Sequence, residues 1–192
     1  MKTYAELYPI VKERFLARGK PGRFRHVEGV IDTAAALAAK HGADVEKAKI
    51  AALLHDVVKN ENPASLRCRI DQRYGPAEAD RWPEKLWHGL AAVAYAETEL
   101  GIADADILAA IENHSAGRPG MSLLEKIVFV ADYIEPNRDY DNADIRQACF
   151  DNLDLGVALV LRETNHILAR TGWPRAERGD AAWAEYRHIL EE

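Results

Sequence analysis

The chain has 192 residues, of which 48% are hydrophobic and 29% charged, enough to bury about 70% of the unfolded surface in one core without covalent staples. Lys and Arg number 25 and Asp and Glu 31, a net charge of −6; this excludes a surface that grips nucleic acid or an anionic membrane along its whole face, but leaves room for a local cationic pocket. Two cysteines, Cys68 and Cys149, without CxxC spacing, an N-terminus of interleaved charged and apolar residues, and no apolar run near the ~18 residues of a membrane span together predict a cytoplasmic protein without a signal peptide.

Helical periodicity runs almost from end to end. Val27, Val30, Ile31, Ala34, Leu37 and Ala38 recur at three- and four-residue steps. Asp44 is placed to cap the next helix, whose body AKIAALLHDVV is apolar on nearly every side and therefore expected at the centre. Asn62-Pro63 and Trp82-Pro83 read as helix starts with proline at the first position. Asp104 or Asp106 opens a segment with Ile107, Ile111 and His114 on one stripe. Ser122 and Glu125 form a capping box ahead of KIVFVADYI, which decides for helix where composition alone would allow a strand. Helical stretches follow at about 145–171 and about 180–191. Gly, Pro and Asn break the pattern at 19–22, 60–63, 75–76, 101, 117–120, 136–137 and 172–174, and no break is long enough to serve as a linker between domains. The expected fold is an all-α bundle of eight or nine helices: one domain over 1–192, with its core at about 20–170 and a C-terminal helix at about 180–191.

Ionisable residues stand where this periodicity expects core. His55 and Asp56 close the most apolar helix, directly after Ala51-Ala52-Leu53-Leu54. An unpaired carboxylate there costs several kcal/mol, so Asp56 needs a strong partner. His26 lies beside Val27 and Val30, His88 shares a face with Ala92 and Tyr95, His114 continues the Ile107/Ile111 stripe, and Asp132 follows Val128 by four residues. A lone histidine on an apolar face is ordinarily a core residue with one hydrogen bond. Six such interruptions on five helices are a different pattern, and four imidazoles with two carboxylates inside a helical bundle are what a two-metal site needs. Adjacent helical residues point about 100° apart, so His55 and Asp56 cannot face the same way, but they can still approach one cluster from two sides if Asp56 bridges two ions while His55 binds one. His41, His166 and His188 lie at a helix end or in charged segments and read as structural or solvated.

The ordered set H…HD…H…H…D, with HVEGV from His26, KAKIAALLHDVVK from Lys47 to Lys59, His88-Gly89, GRPGM from Gly117 and ADYIEPNR from Ala131 to Arg138, resembles the HD superfamily of metal-dependent phosphohydrolases. Within it the set resembles the bacterial YqeK-like symmetrical diadenosine tetraphosphate hydrolases. The likeness runs from about Arg23 to Arg138 and more loosely to about 170. It implies that His26, His55, Asp56 and Asp132 hold one metal, that Asp56 bridges to a second held by His88 and His114, and that the metal is iron; the ligand set would also accept manganese, zinc or nickel. Ser115 stands where such proteins commonly carry threonine, and Val57-Val58 where Tyr-Ala is more usual.

The reaction so implied is symmetrical hydrolysis to two ADP by water activated between two cations, with Asp56 and Lys59 as catalytic groups. Arg23, Lys59, Arg118 and Arg138 each lie within a few residues of an expected ligand and are the candidates to bind substrate phosphates. Two other readings share the same centre: another HD-type nucleotide phosphohydrolase or phosphodiesterase, and a non-catalytic, metal-stabilised nucleotide-binding domain. The partner expected is a small nucleotide, not a long nucleic acid or a membrane.

Overall fold

The computed structural model describes residues 2–191, so Met1 and Glu192, the ends of the expected 1–192 domain, lie outside the described residues. The third helix sets the architecture. α3 (Val45–Leu54) buries Ala48, Ile50, Ala51, Ala52, Leu53 and Leu54 completely. A helix apolar on all sides needs cover on all sides, and it is wrapped by α1 (Tyr4–Ala17), α2 (Pro21–His41), α6 (Ala105–Asn113) and α7 (Leu123–Ile134). Each fully buried Leu or Ile there contributes about 1.5–3 kcal/mol. α4 (Pro63–Tyr74) pairs with α5 (Trp87–Thr98), and α8 (Ala143–Asp151) with α9 (Leu153–Thr171); α10 (Glu177–Tyr186) and a 3-10 turn over Arg187–Leu190 pack on α9.

The expected caps are in place. Asp44, Asn62 and Asp104 accept backbone N–H groups at the starts of α3, α4 and α6, and Ser122 and Glu125 close a reciprocal capping box on α7. The all-α expectation holds, with no strand among the described residues. Ten α-helices occur there instead of eight or nine. The stretch expected as one helix at 145–171 divides because Asn152 is extended (φ −147°, ψ 106°) and its side-chain oxygen accepts from Asp154 N and Leu155 N, capping a new helix. The start expected at Pro83 is displaced to Trp87. Pro83 is itself extended (ψ 133°), and a 3-10 turn over Glu84–Leu86 intervenes. α2, by contrast, begins already at Pro21, which places Arg23 one turn before His26 on the same face. No described helix is long and apolar enough to cross a membrane.

Candidate metal centre

All six expected ligands meet at one point, delivered mostly by helix ends. His26 comes from the second turn of α2. His55 is the residue that ends α3, and Asp56 begins the turn behind it. His88 is the second residue of α5, His114 ends α6, and Asp132 lies in the last turn of α7. Three helix C-termini, those of α3, α6 and α7, thus point their partial negative charge at the cluster, a field that favours a bound cation. The turn carrying Asp56 is clamped from outside: Arg14 donates to the Val57 carbonyl (3.0 Å) and Arg14 and Arg69 both pair with Glu61.

Asp56 is the hinge of the geometry, with one oxygen facing each way. Its Oδ2 lies 3.6 Å from His55 Nε2 and 3.9 Å from His26 Nε2, and Asp132 Oδ1 completes that side at 3.1 Å from His26 Nε2 and 3.8 Å from His55 Nε2. Its Oδ1 lies 3.5 Å from His88 Nε2 and 3.7 Å from His114 Nε2. His55 and Asp56 are sealed from solvent, while Asp132 is partly exposed.

Backbone carbonyls explain which nitrogen faces inward. Nδ1 of His55, His88 and His114 each contacts the carbonyl three residues earlier, Ala52 O at 2.6 Å, Lys85 O at 2.9 Å and Ile111 O at 2.7 Å. A carbonyl can only accept, so each Nδ1 carries a proton, and in the neutral ring the lone pair is then on Nε2, facing inward. For Ala52 and Ile111 these carbonyls belong to the last turns of their helices, where backbone acceptors lack helical partners. His26 uses Glu135 instead, whose Oε1 accepts from its Nδ1 at 3.0 Å.

The cluster is therefore a set of acceptors aimed at each other. His26 Nε2, His55 Nε2 and Asp56 Oδ1 are buried without a hydrogen-bond partner, a costly state for three polar atoms in one place. The protonation states suit a cation. Burial lowers the His55 pKa to about 4, and burial with the neighbouring Lys59 ammonium lowers that of His88 well below the imidazole range. Burial alone would raise Asp56 and Asp132, but Lys59 beside the first, and His26 and Arg138 beside the second, hold both well below the usual carboxylate range. Neutral imidazoles and ionised carboxylates are the metal-binding forms. The donor set fits one or two divalent ions of the imidazole-accepting kind, and His26, His55 and Asp132, and again His55, Asp56 and His114, each bring their ligand atoms within 4.8 Å of one another.

The expected cations divide into two groups. Arg23 Nη1 reaches Asp56 Oδ2 at 3.1 Å, and Lys59 Nζ lies 3.3 Å from Asp56 Oδ1 and 3.2 Å from His88 Nε2; both side chains are about one-third exposed and border the centre. Arg138 is committed to Asp132, through Oδ1 at 2.6 Å and the backbone carbonyl at 2.9 Å. Arg118 is not brought to the cluster: its guanidinium spans the two oxygens of buried Glu125 at 2.6 and 2.7 Å. His41 binds the Cys149 carbonyl, and His166 and His188 are exposed, as expected of residues outside the site.

Two participants are not among the expected site residues, although the sequence marks Ser115 as a departure from threonine. Ser115 Oγ lies 2.8 Å from His114 Nε2 and 3.0 Å from His88 Nε2, where one hydroxyl proton can serve only one of them. Glu135, 1% exposed, orients His26; its only sequence signal is an acidic residue one turn after Asp132. Two glycines make room for this arrangement. A Cβ at Gly89 would stand 2.9 Å from the Glu112 carbonyl, so its absence lets α5 and α6 bring His88 to His114. A Cβ at Gly29 would stand 2.2 Å from Glu135 Oε2 and 2.7 Å from Asn137 Nδ2. Gly29→Ala is accordingly expected to push Glu135 off His26 and weaken metal binding by about 10- to 100-fold, read as the chelator concentration that strips the protein. An unchanged value would show that Glu135 does not hold the imidazole.

Comparison with known proteins finds relatives of the chain. Residues 23–137 match the family model described as HD domain. A protein of Bacillus subtilis (strain 168) named symmetrical bis(5'-nucleosyl)-tetraphosphatase is 40% identical over 154 residues, 79% of this chain and 82% of its own length. A protein of the same name from Halalkalibacterium halodurans is 42% identical over 153 residues, with the same coverage. A crystal structure from Clostridium acetobutylicum, described as a predicted HD superfamily hydrolase involved in NAD metabolism, superposes with a TM-score of 0.86 at 34% identity, covering 96% of this chain and 98% of that one.

Proposed function

We infer the reaction from the site and from kinship: this chain belongs to the HD-domain family, and it is a metal-dependent hydrolase that cleaves diadenosine tetraphosphate symmetrically to two ADP. The observation that carries the reading is the two-sided Asp56, whose oxygens face His26, His55 and Asp132 on one side and His88 and His114 on the other. Those residues would hold two cations, four donors on the first side and three on the second. When bound, such a pair supplies positive charge to phosphoryl oxygens and makes a water acidic enough to attack phosphorus near neutral pH. We take the metal to be iron, on the family resemblance, and elemental analysis of the purified protein decides.

The chain's own residues do the rest. Lys59 and Arg23 stand at the rim with solvent-reaching side chains and neutralise the phosphates flanking the scissile anhydride. Arg138 fixes the carboxylate of Asp132, and Glu135 the ring of His26. Arg118 acts at a distance, tying the loop after His114 to Glu125, which also accepts from Asn113. Hydrolysis breaks the bond between the second and third phosphates, the water oxygen joins phosphorus, and ADP leaves as an anion stable at neutral pH, so no protein acid is required. Free Cys68 and Cys149 suit a reducing cytoplasm.

Chromatography of the products tests the reading. Diadenosine tetraphosphate should give ADP alone. AMP with ATP would place the cut elsewhere, and no turnover with added Fe²⁺ or Mn²⁺ would favour the non-catalytic nucleotide-binding domain.

A further inference from the structure

The cluster opens on one side into a cavity of about 390 Å³, within the range of small-molecule sites. Its inner end is formed by Lys59, His88 and Ser115, all at the His88/His114 side of Asp56. Its outer walls are apolar, from Leu86 ahead of α5, Leu161 and Leu168 on α9, and Trp173 in the link between α9 and α10. Apart from Leu86, these lie beyond residue 137, where the match to the HD-domain family ends.

Trp173 is the telling residue. It is 46% exposed, an unfavourable position for the largest apolar side chain of the set. The Lys85 ammonium lies over its ring, while the Lys85 carbonyl accepts from His88 Nδ1. One residue thus joins the aromatic wall to a ligand of the centre. Polar groups away from the metal end are few: Thr164 and Asn165 on α9 and Asp180 on α10 line the cavity. Arg175 pairs with Asp180 at 2.7 Å and donates to the Asn165 oxygen at 2.6 Å, which neutralises the carboxylate and leaves the Asn165 amide N–H groups to donate. The cavity is therefore cationic at the metal end, flat and apolar at the other, with a hydrogen-bond donor beside the apolar part. A molecule with a polyanionic end joined to a flat heteroaromatic ring matches all three features; an inorganic polyphosphate would leave the apolar walls unfilled.

We propose that this cavity holds one nucleoside of the substrate, its base against the Trp173 indole and its phosphates running past Lys59 to the cluster. The assignment rests on the dinucleotide reading above and places base recognition in α9 and the α9–α10 link, outside the metal-bearing segment.

The test compares two ligands on the protein as purified, ADP and inorganic pyrophosphate, by calorimetric titration. Trp173→Ala should weaken ADP by about tenfold or more, since a stacked base loses its platform, and leave pyrophosphate within about twofold. Trp173→Phe should keep ADP within about threefold, which separates stacking from folding. Equal weakening of both ligands, or undiminished ADP affinity in Trp173→Ala, would overturn the proposal. If ADP affinity falls selectively but the wild type makes no ADP from diadenosine tetraphosphate, the nucleotide cavity stands and the hydrolytic reading falls.

Discussion

Asp56→Asn is expected to lower turnover of diadenosine tetraphosphate by at least about 10³-fold and to leave the protein with no more than one metal ion. The amide has the shape of the carboxylate, so packing survives. It has only one acceptor oxygen and no charge, so it can serve the His26/His55 side or the His88/His114 side, but not both. Its NH₂ would instead donate to imidazole lone pairs that are now buried without partners. This reverses the usual sign for stability. Lys59 and Arg23 lose a counterion, but both are about one-third exposed and water takes up most of that loss. Metal-free Asp56→Asn should then melt no lower than metal-free wild type, while the metal-loaded wild type melts above both. Metal content by elemental analysis and melting with and without chelator measure these effects. Two ions retained with activity within tenfold of wild type would remove Asp56 from the bridging position.

The candidate ligands were legible because each violates a pattern. A histidine or aspartate on an apolar stripe stands out one residue at a time, and the ordered set identified the family. What orients them was not legible. Three of the four imidazoles are locked by backbone carbonyls three residues earlier, and every residue carries a carbonyl, so none leaves a mark in the sequence. Proximity along the chain likewise located the cations without aiming them. Lys59 and Arg23 reach Asp56, whereas Arg118, only one residue farther from a candidate ligand in sequence, turns away to Glu125. A long flexible side chain samples many directions from one backbone position, and the nearest buried carboxylate selects among them.

The helices divide along the same line. Caps are local chemistry, which is why Asp44, Asn62, Asp104 and Ser122 mark true starts. The break at Asn152 is also a cap, hidden inside a stretch whose apolar period continues through it. The displaced start of α5 has a functional consequence. Because the helix begins at Trp87 and not at Pro83, the Lys85 carbonyl remains in the preceding turn, free to fix His88 while the Lys85 ammonium lies over one face of the Trp173 ring.

Lys59→Met separates substrate binding from metal binding. It should reduce kcat/KM for diadenosine tetraphosphate by about 10²-fold without loss of metal. Methionine keeps the apolar stem and removes the point charge that meets phosphate oxygens. The geometry sets the direction of the metal effect. Lys59 Nζ lies 3.2 Å from His88 Nε2 and 3.3 Å from Asp56 Oδ1, so it occupies one acceptor that a cation on that side would use, stands beside another, and repels the cation as well. Removing it should leave metal affinity equal or higher, whereas loss of a ligand or a structural residue would lower it. The salt dependence of KM should also become shallower, since one phosphate contact is gone. Full kcat/KM in Lys59→Met would shift the phosphate-binding role at the rim to Arg23, and weakened metal binding would show that Lys59 builds the centre instead of serving the substrate.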